Sequence, residues 1–176
     1  MGLQPKRIVV VVVTALLTFG LLYAGQHLYV DRSQNRPLER VLADWAGPGG
    51  YDLERGGNWL RVTIDFGPVP DLAAAHHQLL KELRAVAPGL QLSVQPRDDL
   101  SLTLEAFLHQ VHFQLYESLE LGTFTALATA VAEAAAQVQI TAKVSVTPET
   151  VYLQAQDGGL YLHRTFARAQ QGGGPR

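Results

Sequence analysis

Six histidines and sixteen Asp and Glu residues are the groups in this sequence that could transfer protons or hold a metal, and their spacing limits what they can do. His109 and His112 stand three residues apart, which on a helix places both imidazoles on one face with Glu105 or Tyr116 beside them. That is part of a zinc site, and a third ligand must come from another element. His76 and His77 are adjacent, so a helix turns them about 100° apart and one ion cannot take both. No established metal-binding spacing such as H-E-x-x-H occurs, and no metal is expected. Carboxylates fall in pairs at Asp98-Asp99 and at Glu117 with Glu120, an arrangement that serves hydrolysis when both members face one cleft. Capping of a helix start and the solvation of a helix face account for the same pairs without catalysis. A hydrolase built on this chain would draw on Asp98, Asp99, His109, His112 and Glu117.

Other chemistries lack their residues. Without cysteine there are no disulfides, no thiolate metal ligands and no thiol nucleophile. The five serines lack a G-x-S-x-G context. The glycine clusters at 47–50, 56–57 and 158–159 have neither a P-loop lysine nor Rossmann spacing, so they read as turns and no cofactor is expected. Two of the 14 Lys and Arg residues and none of the 16 Asp and Glu residues precede residue 31, which leaves 12 against 16 beyond it, a net −4. That balance, with no basic stripe among aromatics, excludes nucleic acid as an expected partner.

The elements that must position these groups begin after an apolar N-terminal stretch. Ile8 to Gly25 carries no charge, and apolar character continues through Leu28, Tyr29 and Val30. At about 1.5 Å per residue such a segment covers the roughly 30 Å hydrocarbon core of a bilayer. Residues 1–7 are a short tail, 8–30 a transmembrane helix in contact with lipid, and 31–36 a polar connector. The run is longer than a cleaved leader's apolar region and lacks a clean small-x-small site, so an uncleaved signal anchor fits better. Lys6 and Arg7 abut it, which favours a cytoplasmic N-terminus and a domain outside the cell membrane. With no cysteine, lipidation cannot replace the helix as anchor, and an extracytoplasmic domain without disulfides is ordinary in a bacterium.

Residues 37–168 read as one α+β domain. Leu38, Val41, Leu42 and Trp45 make a short amphipathic helix stopped by Gly47-Pro48-Gly49-Gly50. Tyr51 to Glu54 and Trp59 to Phe66 are strands around the turn residues 55–58, with Leu60, Val62, Ile64 and Phe66 on one side. Asp71 caps a helix carrying Leu72, Ala75, Leu79, Leu83 and Val86, and Pro88-Gly89 ends it before the alternating strand Leu90 to Gln95. A helix between two such strands suggests a crossover or split pairing on one sheet. Leu100 to Leu104 alternates like a strand, but Leu104, Leu108, Val111, Leu115 and Leu119 follow helical spacing, with Asp99 available as cap and Gly122 as stop. An alanine-rich helix from Thr123 to Val138 follows. Ile140 to Val146, Val151 to Gln156 and Leu160 to Phe166 then alternate around Thr147-Pro148-Glu149 and Asp157-Gly158-Gly159, forming a three-stranded antiparallel meander. Residues 169–176 have too few apolar side chains to pack and read as a disordered tail.

From Pro37 to Gln95 the order is helix, strand, strand, helix, strand. Within it Val62-Thr63-Ile64-Asp65-Phe66-Gly67-Pro68-Val69, followed by a helix and Pro88-Gly89-Leu90, resembles the BON-type and ring-building modules of bacterial envelope proteins. The resemblance implies a sandwich-like module acting through binding and assembly, while the two following helices and the meander depart from that pattern. Three functions follow as expectations: a single-pass anchored binding or assembly module of the cell envelope with a protein partner or self-association, a membrane-tethered hydrolase, and a sensor contacting another membrane protein through a sheet face or the alanine-rich helix.

Overall fold

The computed structural model describes residues 36–168 together with Thr18 and Phe19. The expected transmembrane helix at 8–30 lies outside the described residues but for those two, and the tails at 1–7 and 169–176 lie outside them altogether. Among the described residues no helix is long and apolar enough to cross a membrane. The chain divides into two compact units, Met1–Arg40 and Val41–Arg176. Helix α1 (Arg36–Trp45) spans the division, and everything below concerns the second unit.

The architecture is α+β, with four helices and two three-stranded sheets among the described residues. In the first sheet β1 (Tyr51–Arg55) runs antiparallel to β2 (Trp59–Ile64). A crossover through α2 (Leu72–Val86) then brings β3 (Gln91–Pro96) parallel to β2. Alternation in β2 buries Leu60, Val62 and Ile64 and leaves Trp59 and Arg61 outward. Leu72, Leu79 and Leu83 of α2, which packs against β3 and β5, are buried too, as is Leu42 of α1. Trp45 ties the two helices by donating from Nε1 to Glu82 Oε2 at 2.8 Å, and its ring meets Phe66 edge-on at 6.5 Å. Asp71 caps α2 as its sequence predicts, accepting from the Ala74 N–H at 3.0 Å.

The second sheet is the expected meander, β4 (Thr141–Val146), β5 (Thr150–Asp157) and β6 (Leu160–Ala167), with both pairings antiparallel. Two antiparallel neighbours, α3 (Leu102–Leu121) and α4 (Phe124–Gln137), cover one of its faces. Phe107, Val111 and Leu115 of α3 and Leu127 and Val131 of α4 enclose Val151, Leu153, Ala155 and Leu162 in one apolar core. The strand alternative for Leu100 to Leu104 gives way to helix, and the cap differs from the expected Asp99. Ser101 is the N-cap, with its Oγ accepting from the Leu104 N–H at 3.1 Å and donating to Asp157 Oδ2 at 2.7 Å. Asp99 is engaged elsewhere: its backbone pairs with Tyr161 through bonds of 2.9 and 2.8 Å, which joins the segment after β3 to β6. Gly122 closes α3 in the left-handed conformation at φ 72°.

Candidate functional site

Strand alternation makes the meander two-sided. Ala142, Val144, Val151, Leu153, Ala155 and Leu162 turn to α3 and α4, whereas Lys143, Tyr152, Gln154, Gln156, Tyr161 and His163 share the opposite, polar side. That polar side is not left to water. Tyr152, Tyr161 and His163 are all buried, because α2 and the loops around β2 lie over them. Gln154 stitches the contact, accepting from the Leu72 N–H at 3.0 Å and donating to the Val69 carbonyl. His76 of α2 is buried between the Val94 carbonyl, 3.1 Å from Nε2, and the Tyr152 hydroxyl, 3.0 Å from Nδ1. A carbonyl can only accept, so Nε2 carries the proton and Nδ1 accepts from the tyrosine. Burial lowers the pKa of His76 from its ordinary value, with the Val94 bond opposing and the His77 charge assisting.

Beside this lies a carboxylate, Asp65, 2% exposed at the end of β2. Its Oδ2 accepts from the Gly49 N–H at 2.6 Å, and Oδ1 accepts from the Gly67 N–H at 2.7 Å and from the Tyr161 hydroxyl. The glycine run after α1 makes this possible. A Cβ on Gly49 would stand 2.6 Å from Asp65 Oδ2, and Gly67 sits at φ 62°, so both places demand a residue without a side chain. The Gly47 N–H donates to the Asp65 carbonyl at 2.6 Å and the Asp65 N–H to the Gly50 carbonyl at 3.0 Å, which fastens the loop to the strand end. Burial alone would raise the Asp65 pKa. The Tyr161 hydroxyl and the two glycine amides outweigh it and hold the carboxyl below its usual range. Burial and the facing Asp65 push Tyr161 strongly up, so it remains a protonated donor.

His163 stacks on Tyr161 with ring centroids 4.9 Å apart and planes 29° from parallel. Its side chain has no hydrogen-bond partner at either ring nitrogen among the described residues, although the residue is only 1% exposed. Burial lowers its pKa to about 4, with the Asp65 charge opposing. The His163 backbone N–H donates to Asp98 Oδ1 at 2.7 Å, and the other Asp98 oxygen pairs with Arg164 at 2.6 Å. Burial raises the Asp98 pKa against those two partners.

Of the residues singled out in the sequence, Asp98 and Asp99 therefore come together against β6, holding it by side chain and by backbone. His109, His112 and Glu117 lie exposed on α3. There His112 packs against Tyr116 at 4.7 Å between ring centroids, and Tyr116 meets Phe166 at 6.3 Å. Among the described residues no group of three or more His, Asp or Glu side chains is placed to hold a metal ion. An open groove of about 180 Å³ runs along the polar side of the meander beneath Val69 and Pro70, bordered by Lys143, Gln154 and Gln156. It is smaller than the roughly 300 Å³ at which small-molecule pockets begin. Lys143 is spoken for by Asp71 at 2.7 Å, and Gln154 by α2.

Sequence reasoning missed Asp65, His76, Tyr152, Tyr161 and His163 as a group. Their signal was present but faint: Tyr161 and His163 occupy alternate positions of a strand, and Asp65 interrupts an apolar run just ahead of Gly67. Within the described part of the second unit the most exposed large apolar side chains lie instead along α3, where Leu102 is 85% and Phe113 83% exposed, followed by Leu121 and Tyr116. No protein-family model and no curated protein matches the chain.

Proposed function

We propose that the chain is a single-pass membrane protein whose extracytoplasmic α+β domain is a binding or assembly module. The uncharged run from Ile8 to Gly25, preceded by Lys6 and Arg7, supports the anchor and its orientation. The observation that carries the binding role is the outer side of α3. A helix buried on one side ordinarily turns polar residues outward. This one presents Phe113 at 83% exposure, with Tyr116 one turn on, both in ring contact with His112, and Leu102 and Leu121 exposed towards its two ends; exposed apolar side chains of this size mark contact surfaces. The buried titratable groups Asp65, His76 and Tyr161, and the half-buried Asp98, serve a different end: they bond to the chain itself. Anchoring confines the module to two dimensions and raises its effective concentration near membrane partners.

A photo-crosslinking residue placed at Phe113 of the full chain in native membranes tests this reading, with the same residue at Glu133 of α4 as reference. The expected result is a discrete protein adduct from position 113 and none from 133. Adducts to lipid alone, or equal labelling from both positions, overturn it.

A further inference from the structure

We propose that the contact between the polar side of the meander and the β2–α2 region is an acid-sensitive latch, closed while the His163 imidazole is uncharged and released when it takes up a proton. The geometry that carries this is the burial of both ring nitrogens without a partner. A neutral imidazole tolerates such a place at modest expense, whereas an imidazolium brings a charge and a second N–H that need an acceptor.

The groups around the ring offer little relief. From the loop after β2 comes Asp65, whose oxygens already receive the Gly49 and Gly67 amides and the Tyr161 hydroxyl. On β6 itself Tyr161 is stacked on the ring and Arg164 is a cation. From the segment after β3, Asp98 is occupied by the His163 backbone amide and by Arg164, Asp99 is exposed, and Arg97 reaches Asp52. Across β5 the neighbour is Gln154, bonded to Val69 and Leu72, with Tyr152 bonded to His76 of α2. The imidazolium must therefore draw Asp65 away from Tyr161 or leave the stack for water. The first movement breaks the Tyr161–Asp65 bond that joins β6 to the end of β2, and the second strips Tyr161 of the ring stacked on it.

The burial that holds His163 at about 4, against an ordinary 6.5, sets the window. Above pH 6.5 the ring is neutral whether the latch is closed or open. Below it the open form takes a proton that the closed form refuses until about pH 4. By linkage the opening equilibrium then rises about 30-fold at pH 5 and levels off at roughly 300-fold in stronger acid.

Amide hydrogen exchange on the full chain in detergent, corrected for intrinsic rates, reads this directly. The expected result is a roughly 30-fold loss of protection at about pH 5, relative to neutral pH, in peptides from β2 and β6, with α3 and α4 unchanged. His163→Phe keeps the stacked ring and removes its titration, so its loss of protection at pH 5 is expected to shrink to the smaller part that the burial of His76 contributes. Retention of the full acid response in His163→Phe, its absence in the natural chain, or equal loss throughout the domain overturns the proposal. Should His163→Phe not fold, titration of the His163 ring by NMR in the natural chain decides: a midpoint well below 6.5 supports the latch and one at or above 6.5 overturns it.

Discussion

Asp65→Asn preserves the shape of the side chain at the end of β2 and removes its charge. The carboxylate accepts from Gly49 at 2.6 Å, from Gly67 at 2.7 Å and from the Tyr161 hydroxyl, using both oxygens. An asparagine retains one acceptor oxygen, and its NH2 group must then face a buried donor. Hydrogen bonds to a charged group contribute about 1.5–3 kcal/mol each, and an unpaired buried donor costs about 1–3 kcal/mol. Losing one bond outright and weakening two therefore amounts to about 3–5 kcal/mol, a large part of the roughly 5–15 kcal/mol that holds a domain together. Trp45, edge-on to Phe66 at 6.5 Å, gives a fluorescence signal beside the site for urea unfolding of the full chain in mild detergent. With a slope of about 1–3 kcal/mol per molar urea, the midpoint is expected to fall by about 1–5 M. Tyr161→Phe removes a single bond and is expected to cost about 1–2 kcal/mol, and the double variant should fall short of additivity by at least about 1 kcal/mol. A midpoint shift for Asp65→Asn below about 0.5 M, or strict additivity of the pair, refutes the reasoning.

Gly49→Ala drives a methyl group into Asp65 Oδ2, 2.6 Å from the Cβ position, and is expected to destabilise by about 1–3 kcal/mol in the same assay, whereas Gly57→Ala, with open space around it, is not expected to clash. Ser101→Ala removes the cap of α3 and its bond to Asp157, costing about 1 kcal/mol, while Asp99→Ala should cost under about 0.5 kcal/mol because Asp99 acts through its backbone; the reverse ranking in thermal melts counts against the assigned cap. Burial lowers the pKa of both His76 and His163, so their contribution to stability is full above pH 6.5 and declines on acidification, for His163 down to about pH 4. The raised Asp98 pKa acts oppositely, since the folded form takes up that proton first on acidification.

Much of the fold is legible in the residues because period and punctuation agree. Leu60, Val62 and Ile64 alternate and are buried together, Asp71 caps where a cap is needed, and Gly122 stops α3. The meander follows from three alternating runs around two turns. What alternation cannot convey is which neighbour covers each side. Tyr152, Tyr161 and His163 occupy positions that solvent would suit equally well, and their burial depends on α2 arriving from far along the chain. The cap of α3 was ambiguous for a local reason, since Asp99 and Ser101 both offer an acceptor and only the pairing of the Asp99 backbone with Tyr161 excludes it. The candidate residues divided in the same manner. Asp98 found partners on β6, a contact 65 residues distant, while His109, His112 and Glu117 kept the exposed places that helical spacing assigns to them.

Binding through α3 is the central claim, and Phe113→Asp tests it most directly. The side chain is 83% exposed, so the substitution leaves the core intact and places a charge within the proposed contact. With the crosslinker moved to the neighbouring Gln110 on the full chain in native membranes, the protein adduct is expected to disappear in Phe113→Asp while the unfolding free energy stays within about 0.5 kcal/mol of that of the natural chain. An adduct that persists undiminished in the folded variant contradicts the account.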